Sequence, residues 1–166
     1  MGNFIIVIAE YLWLFCLMIL LASLIISVDK SSRISATIWV AAGLIMDKIA
    51  PDLMALSEWN KELARYIWYT TWITFDAVMI VLIWWIHQKF SWQLSKLSRN
   101  ISFACLVLIF LQFGRLLDRT LFGTDLLGEI YKYGIPSIYF AITLNMAWWI
   151  VSNAISTYGL FNWRRK

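Results

Sequence analysis

The chain has 166 residues, 61% of them hydrophobic and 14% charged, with a formal net charge of +4. That balance leaves no room for a separate soluble domain and predicts a single polytopic transmembrane domain over 1–166. The basic residues include the closing Arg164, Arg165 and Lys166. They read as a membrane-orientation signal, which argues against nucleic acid as a partner and for the lipid bilayer.

Four long apolar runs, 4–28, 66–87, 101–117 and 135–155, take up about half of the sequence. A hydrocarbon core ~30 Å thick needs roughly 20 helical residues to cross it. Backbone groups facing lipid must be satisfied within their own segment, so the runs are expected to be helices. A barrel is disfavoured because the runs do not alternate apolar with polar residues. The expected fold is an all-α integral membrane bundle with four strong transmembrane helices, a short fifth over 34–50 and an amphipathic lead-in helix over 52–65.

The first run has no basic residue before it and is longer than the apolar region of a cleavable leader, so it is expected to remain as an anchor. Glu10 lies within it. With the N-terminus outside, Glu10 would sit near the depth of Arg115; with the N-terminus inside, it would approach His87 and Lys89. Cys16 and Cys105 fall in separate apolar runs and are read as inert packing.

The segment 34–50 is difficult, because Asp47 and Lys48 interrupt it and its unbroken part spans only ~20 Å. Charge placement favours a crossing there. With five crossings, Lys30, Arg33, Lys89, Lys96, Arg99, Arg164, Arg165 and Lys166 share one side with a single acid, Asp29. Asp52, Glu58, Glu62, Asp118, Asp125 and Glu129 then lie opposite. Lys/Arg bias marks the cytoplasmic side, so the N-terminus is expected outside and the C-terminus in the cytoplasm, in a multi-pass protein of the cell inner (plasma) membrane. Pro51 is expected to end the weak segment and Asp52 to cap a new helix. There Leu53, Leu56, Trp59 and Leu63 recur at helical spacing among charged residues, as an interfacial helix requires.

In the third segment Asp76 falls near the midplane, on a stripe with Arg65, Tyr69, Trp72, Ile80, Ile83 and His87. Trp68, the pair Trp84 and Trp85, and Trp163 read as an aromatic belt. His87 reads as a snorkelling interfacial side chain. In the fourth, Cys105, Leu108, Gln112, Arg115 and Arg119 share a face, and depth matching places Gln112 level with Asp76. Arg115 is expected to reach Asp76 or Glu10 across helices, with Asp118 as the local rival. Pro136 suits the first turn of the last span. Beyond it Asn145 is near the midplane, and Ser137, Ala141 and Asn145 form a row of small or polar residues of the kind that lets helices approach. The expected intramembrane polar cluster is therefore Glu10, Asp76, Gln112, Arg115 and Asn145, with His87, Trp84 and Trp85 at the interface.

No catalytic constellation is visible. His87 is the one histidine, so no second His completes a metal or bis-His haem site, and no cofactor or metal is expected. Asn100-Ile101-Ser102 matches a glycosylation sequon but falls on the expected cytoplasmic side. In size and number of spans the chain is similar to membrane immunity proteins against pore-forming bacteriocins and to small membrane subunits of anti-phage systems. That likeness is one of architecture and rests on no motif. The expectation is a non-enzymatic membrane protein of a bacterial or phage-encoded system. It would act through self-assembly or a partner protein as a sensor, immunity factor or pore-forming subunit. The alternative is a proton- or cation-coupled channel or transporter using Asp76.

Overall fold

The computed structural model describes residues 2–158, with side chains described from Leu12 to Thr157. Five helices follow one another: α1 Gly2–Ile25, α2 Lys30–Ala55, α3 Lys61–Lys89, α4 Lys96–Thr120 and α5 Gly128–Tyr158. A single 3-10 turn, Leu56–Glu58, lies between α2 and α3. The described chain is all-α, and α2 to α5 are each long and apolar enough to cross a membrane. At 1.5 Å per residue the 24 residues of α1 make ~36 Å of helix.

The segment 34–50 is thus the middle of a 26-residue helix, not a short one. Pro51 does not end α2. It sits inside the last turn and a half, where a lost N–H removes a single bond near the helix end. The lead-in over 52–65 is accordingly not a separate helix: 52–55 close α2, 56–58 form the 3-10 turn and 61–65 open α3. Asn60 makes the real boundary, accepting the N–H groups of Glu62 and Leu63 at 3.1 Å each. Pro136 likewise falls inside α5, because that helix begins eight residues earlier at Gly128.

Side-chain caps set the other starts. Asp29 accepts the Ser32 N–H at 2.7 Å, and Ser95 accepts the Ser98 N–H at 3.1 Å. At the end of α3 the Trp92 N–H reaches the His87 carbonyl at 2.9 Å, and the Ser91 N–H reaches the Gln88 carbonyl at 3.1 Å. This is a Schellman stop, with Ser91 at φ 52 where glycine is the usual occupant. The connections are four to seven residues long, so neighbouring helices run antiparallel.

The interior is built from one stripe of each helix. Trp39 and Val40 of α2, Met79 and Ile83 of α3, Ile101 and Leu108 of α4 and Met146 of α5 form its centre. The α3 stripe is buried at Tyr69, Trp72, Asp76, Ile83 and His87. The outside is as apolar as the inside: Phe15, Met18, Leu24, Val81, Phe103, Phe110, Leu144 and Trp148 are all exposed. A continuous apolar exterior of this kind belongs in hydrocarbon, and the chain is built as a membrane protein.

Candidate functional site

The buried polar residues fall into separate groups rather than one cluster. The first closes the end of the bundle beside the α4–α5 connection. Arg115 is buried, and its Nη1 donates to Asp118 Oδ2 at 2.6 Å, while Nη2 donates to Asp125. Asp118 also accepts from the Thr124 hydroxyl and, at 3.1 Å, from the Leu127 N–H. Gly128 makes room for this knot, because a Cβ there would stand 2.6 Å from Asp125 Oδ1 and 3.3 Å from Arg115 Nη2. The expected bridge from Arg115 to Asp76 is therefore replaced by a local one. Arg115 lies only about one and a half turns from the end of α4, so its long side chain carries the charge outward to the returning loop.

Gln112 also finds a different partner. Its Oε1 accepts from the Tyr131 hydroxyl at 2.9 Å, and the Trp68 indole N–H reaches the same hydroxyl at 3.3 Å. Trp68 is thus tied into the bundle instead of the aromatic belt. Trp84 and Trp85 remain exposed, with Lys89 Nζ 4.9 Å from the Trp85 ring centroid. The side chain of Glu10, and Trp163, lie outside the described residues.

Asp76 stands alone. It is 1% exposed, and its Oδ1 has no hydrogen-bond partner among the described residues. It sits in the middle of the 29-residue α3, so the carboxyl occupies the deepest part of any bilayer around the bundle. Asn145 is half-buried on α5 and makes no side-chain hydrogen bond among the described residues.

The second group lies at the opposite end, and the sequence reading missed it. His87 does not snorkel; it is 3% exposed, facing the first turns of α2 and α4. Its Nδ1 is 2.6 Å from the Ile83 carbonyl, which only accepts, so Nδ1 carries the proton. Nε2 lies 2.7 Å from the Ser31 hydroxyl oxygen. Ser31 Oγ in turn accepts the Ser95 N–H at 2.9 Å. Ser35 donates to Ser98 at 2.8 Å, Ser32 donates to Ser95 at 2.8 Å, and Ser95 and Ser98 are themselves 2.8 Å apart. The signal was present as Ser31 with Ser35, and Ser95, Ser98 and Ser102, each set on one helix face. Ser31 and His87 have the spacing of a nucleophile and base, but both are buried and leave a substrate no approach.

The third feature is a cavity of about 670 Å³ in the half of the bundle nearest the α2–α3 and α4–α5 connections. Trp13, Trp39, Trp72 and Tyr139 wall it, Cys16 and Thr143 lie at its inner end, and Asp47 and Lys132 reach it from α2 and α5. At that inner end Cys16 Sγ and Thr143 Oγ1 are 3.2 Å apart, and the Trp39 and Tyr139 rings meet at 5.2 Å. Among the described residues no group of three His, Cys, Asp or Glu side chains is placed to hold a metal ion.

No protein-family model matches the chain, and comparison with curated proteins and with solved structures finds no similar one.

Proposed function

We propose that this is a non-enzymatic membrane protein that works by assembling, with further copies of itself, through the outward face of α5. Asn145 carries the reading. Several polar side chains on the helices return to their own backbone: Thr70 donates to the Tyr66 carbonyl at 2.6 Å, Thr74 to Thr70 at 2.7 Å, and Asn153 to Trp149 at 2.8 Å. Asn145 has no such bond among the described residues, and an amide near the middle of a membrane helix favours a partner helix. Ser137 and Ala141 precede it on the same face, exposed and small enough for close helix contact. The burial of the Ser31–His87 pair supports a role without catalysis. A sensor, immunity factor or pore-forming subunit of a bacterial or phage-encoded system fits such an assembly, with a partner protein as the alternative to self-association.

Asn145→Leu combined with Ala141→Leu is expected to shift the purified protein in mild detergent from oligomer to monomer, read by light scattering on a sizing column. An unaltered protein that is already monomeric in detergent and in liposomes would overturn the proposal.

The proposed orientation has five crossings, the N-terminus outside and the C-terminus in the cytoplasm of a cell inner membrane. It rests on the Lys/Arg bias. Lys30 and Ser57 are exposed at opposite ends of the α2–turn unit. In a background of Cys16→Ala and Cys105→Ala, Ser57→Cys is expected to react with an impermeant maleimide on intact cells. Lys30→Cys is expected to react only after permeabilisation. The reverse pattern, or labelling of both on intact cells, rejects this orientation.

A second reading is favoured by Asp76, whose Oδ1 has no hydrogen-bond partner among the described residues: a proton- or cation-coupled path in which its carboxyl is the midplane stop.

A further inference from the structure

We propose that the 670 Å³ cavity is a lipid site, holding one acyl chain of a phospholipid whose headgroup bears a primary ammonium and rests over Asp47 and Lys132. Its size falls within the ~300–1,000 Å³ of small-molecule sites, and its walls are aromatic and aliphatic, as an acyl chain requires. The helices around it expose apolar residues to the bilayer, so lipid is the apolar species at hand in high concentration.

Three features assign a glycerophospholipid rather than a bare hydrocarbon. The first is Gln112, more than nine-tenths buried and lining the cavity. Its carbonyl is used by Tyr131, while its amide nitrogen donates to nothing among the described residues. An ester carbonyl is the acceptor it lacks. Gln112 lies eight residues, ~12 Å, from the end of α4 at this side, the depth of an ester beneath a headgroup.

The second is the rim. Lys132 supplies a cation for the phosphate, and Asp47 supplies an anion for the ammonium. The chain has two prolines, Pro51 and Pro136, and each lies four residues beyond one of these rim residues. Neither has an N–H to give the Asp47 or the Lys132 carbonyl, which leaves two further acceptors at the rim. A primary ammonium with three N–H donors answers that surplus and also pairs with the Asp47 carboxylate, which the uncharged hydroxyls of a glycerol headgroup do not.

The third is Gly43. Glycine within a helix costs about 1 kcal/mol relative to alanine. A Cβ at Gly43 would meet nothing within 4 Å, so no packing contact demands the glycine. Gly43 lines the cavity and leaves open space there that a bulky side chain would fill. On α5 this site uses Lys132, Ile135, Tyr139 and Thr143, on the side turned away from Ser137, Ala141 and Asn145. Lipid occupancy and self-assembly are therefore separable.

The test is native mass spectrometry of the full chain released from nanodiscs of equal phosphatidylethanolamine and phosphatidylglycerol. One phosphatidylethanolamine per chain is expected to survive detergent exchange. Gly43→Phe is expected to reduce that occupancy at least tenfold while circular dichroism and oligomeric state stay unchanged, and Gly43→Ala is expected to keep it. Asp47→Lys is expected to turn the preference toward phosphatidylglycerol. Full lipid occupancy in a folded Gly43→Phe protein, equal retention of both lipids by the unaltered protein, or a bound mass that is no phospholipid would each overturn the assignment. Should Gly43→Phe fail to fold, a phosphatidylethanolamine with a photoreactive acyl chain decides. Crosslinks at Trp39 and Tyr139 are expected, and crosslinks confined to the exposed Phe103, Phe110 and Trp148 would show only lipid surrounding the bundle.

Discussion

Arg115→Leu is expected to lower the stability of the folded protein by about 3 kcal/mol, the lower end of the range for breaking a buried ion pair. The side chain of Asp118 is 5% exposed and would lose its charged partner, whereas that of Asp125, at 61%, can turn to water and keeps Arg119 at 3.1 Å. The hydroxyl of Thr124 and the N–H of Leu127 would still hold Asp118, which keeps the loss from being larger. Unfolding by denaturing detergent in mixed micelles gives the measurement, and a double-mutant cycle assigns the partner. Arg115→Leu with Asp118→Leu is expected to show clear coupling. Arg115→Leu with Asp76→Leu is expected to be additive, because the guanidinium points to the end of the bundle and the carboxyl lies at its middle. Strong coupling between positions 115 and 76 would mean that the pair bridges helices after all.

The contrast between these two positions shows what the sequence held and what it lacked. Helical periodicity identified the faces: Tyr69, Trp72, Asp76, Ile83 and His87 on α3, and Cys105, Leu108, Gln112 and Arg115 on α4, are buried. Depth along a helix was legible too, since it follows from counting residues. Partner choice was not. Arg115 pairs through a loop that folds back, and nothing local in 121–127 announces that Asp125 returns to it. Gln112 turns to Tyr131 because α5 begins at Gly128, about two turns earlier than hydropathy starts the last span.

The ends of elements were misread for a related reason. In the sequence Pro51 reads as a stop, yet a proline in the last turns of a helix removes one bond and leaves the rest. His87 looked interfacial because a lone titratable group at a helix end normally reaches for water. Ser31 of α2 and Ser95 and Ser98 of α4 arrive at the same level and make a polar interior there, a fact of assembly that one helix does not record. The cavity was equally invisible, because it arises between five helices, and only Gly43 marks it in the sequence.

Asp76→Leu is expected to raise stability by about 1–3 kcal/mol, the penalty of a buried polar group left without a partner. Ordinary packing residues are not retained at such a cost, and that is why the substitution discriminates. Leucine fits beside Met79, one turn further along α3, and Cys105 of α4, both buried. Asp76→Asn keeps the size and a polar group, and is expected to change stability little. A fall in stability for Asp76→Leu would show that the carboxyl has a partner in the assembled protein, and the premise of an idle group would be lost. If stability rises, function decides between the two readings. In proteoliposomes under an acid pulse, proton entry that disappears in both Asp76 variants makes the carboxyl the working group of a conducting path. No proton entry in the unaltered protein, together with an oligomer that survives both substitutions, leaves assembly through α5 as the activity. The decisive combination is a protein that becomes more stable and less active when one buried carboxyl is removed, because a structural ion pair cannot produce it and a proton path through that carboxyl does.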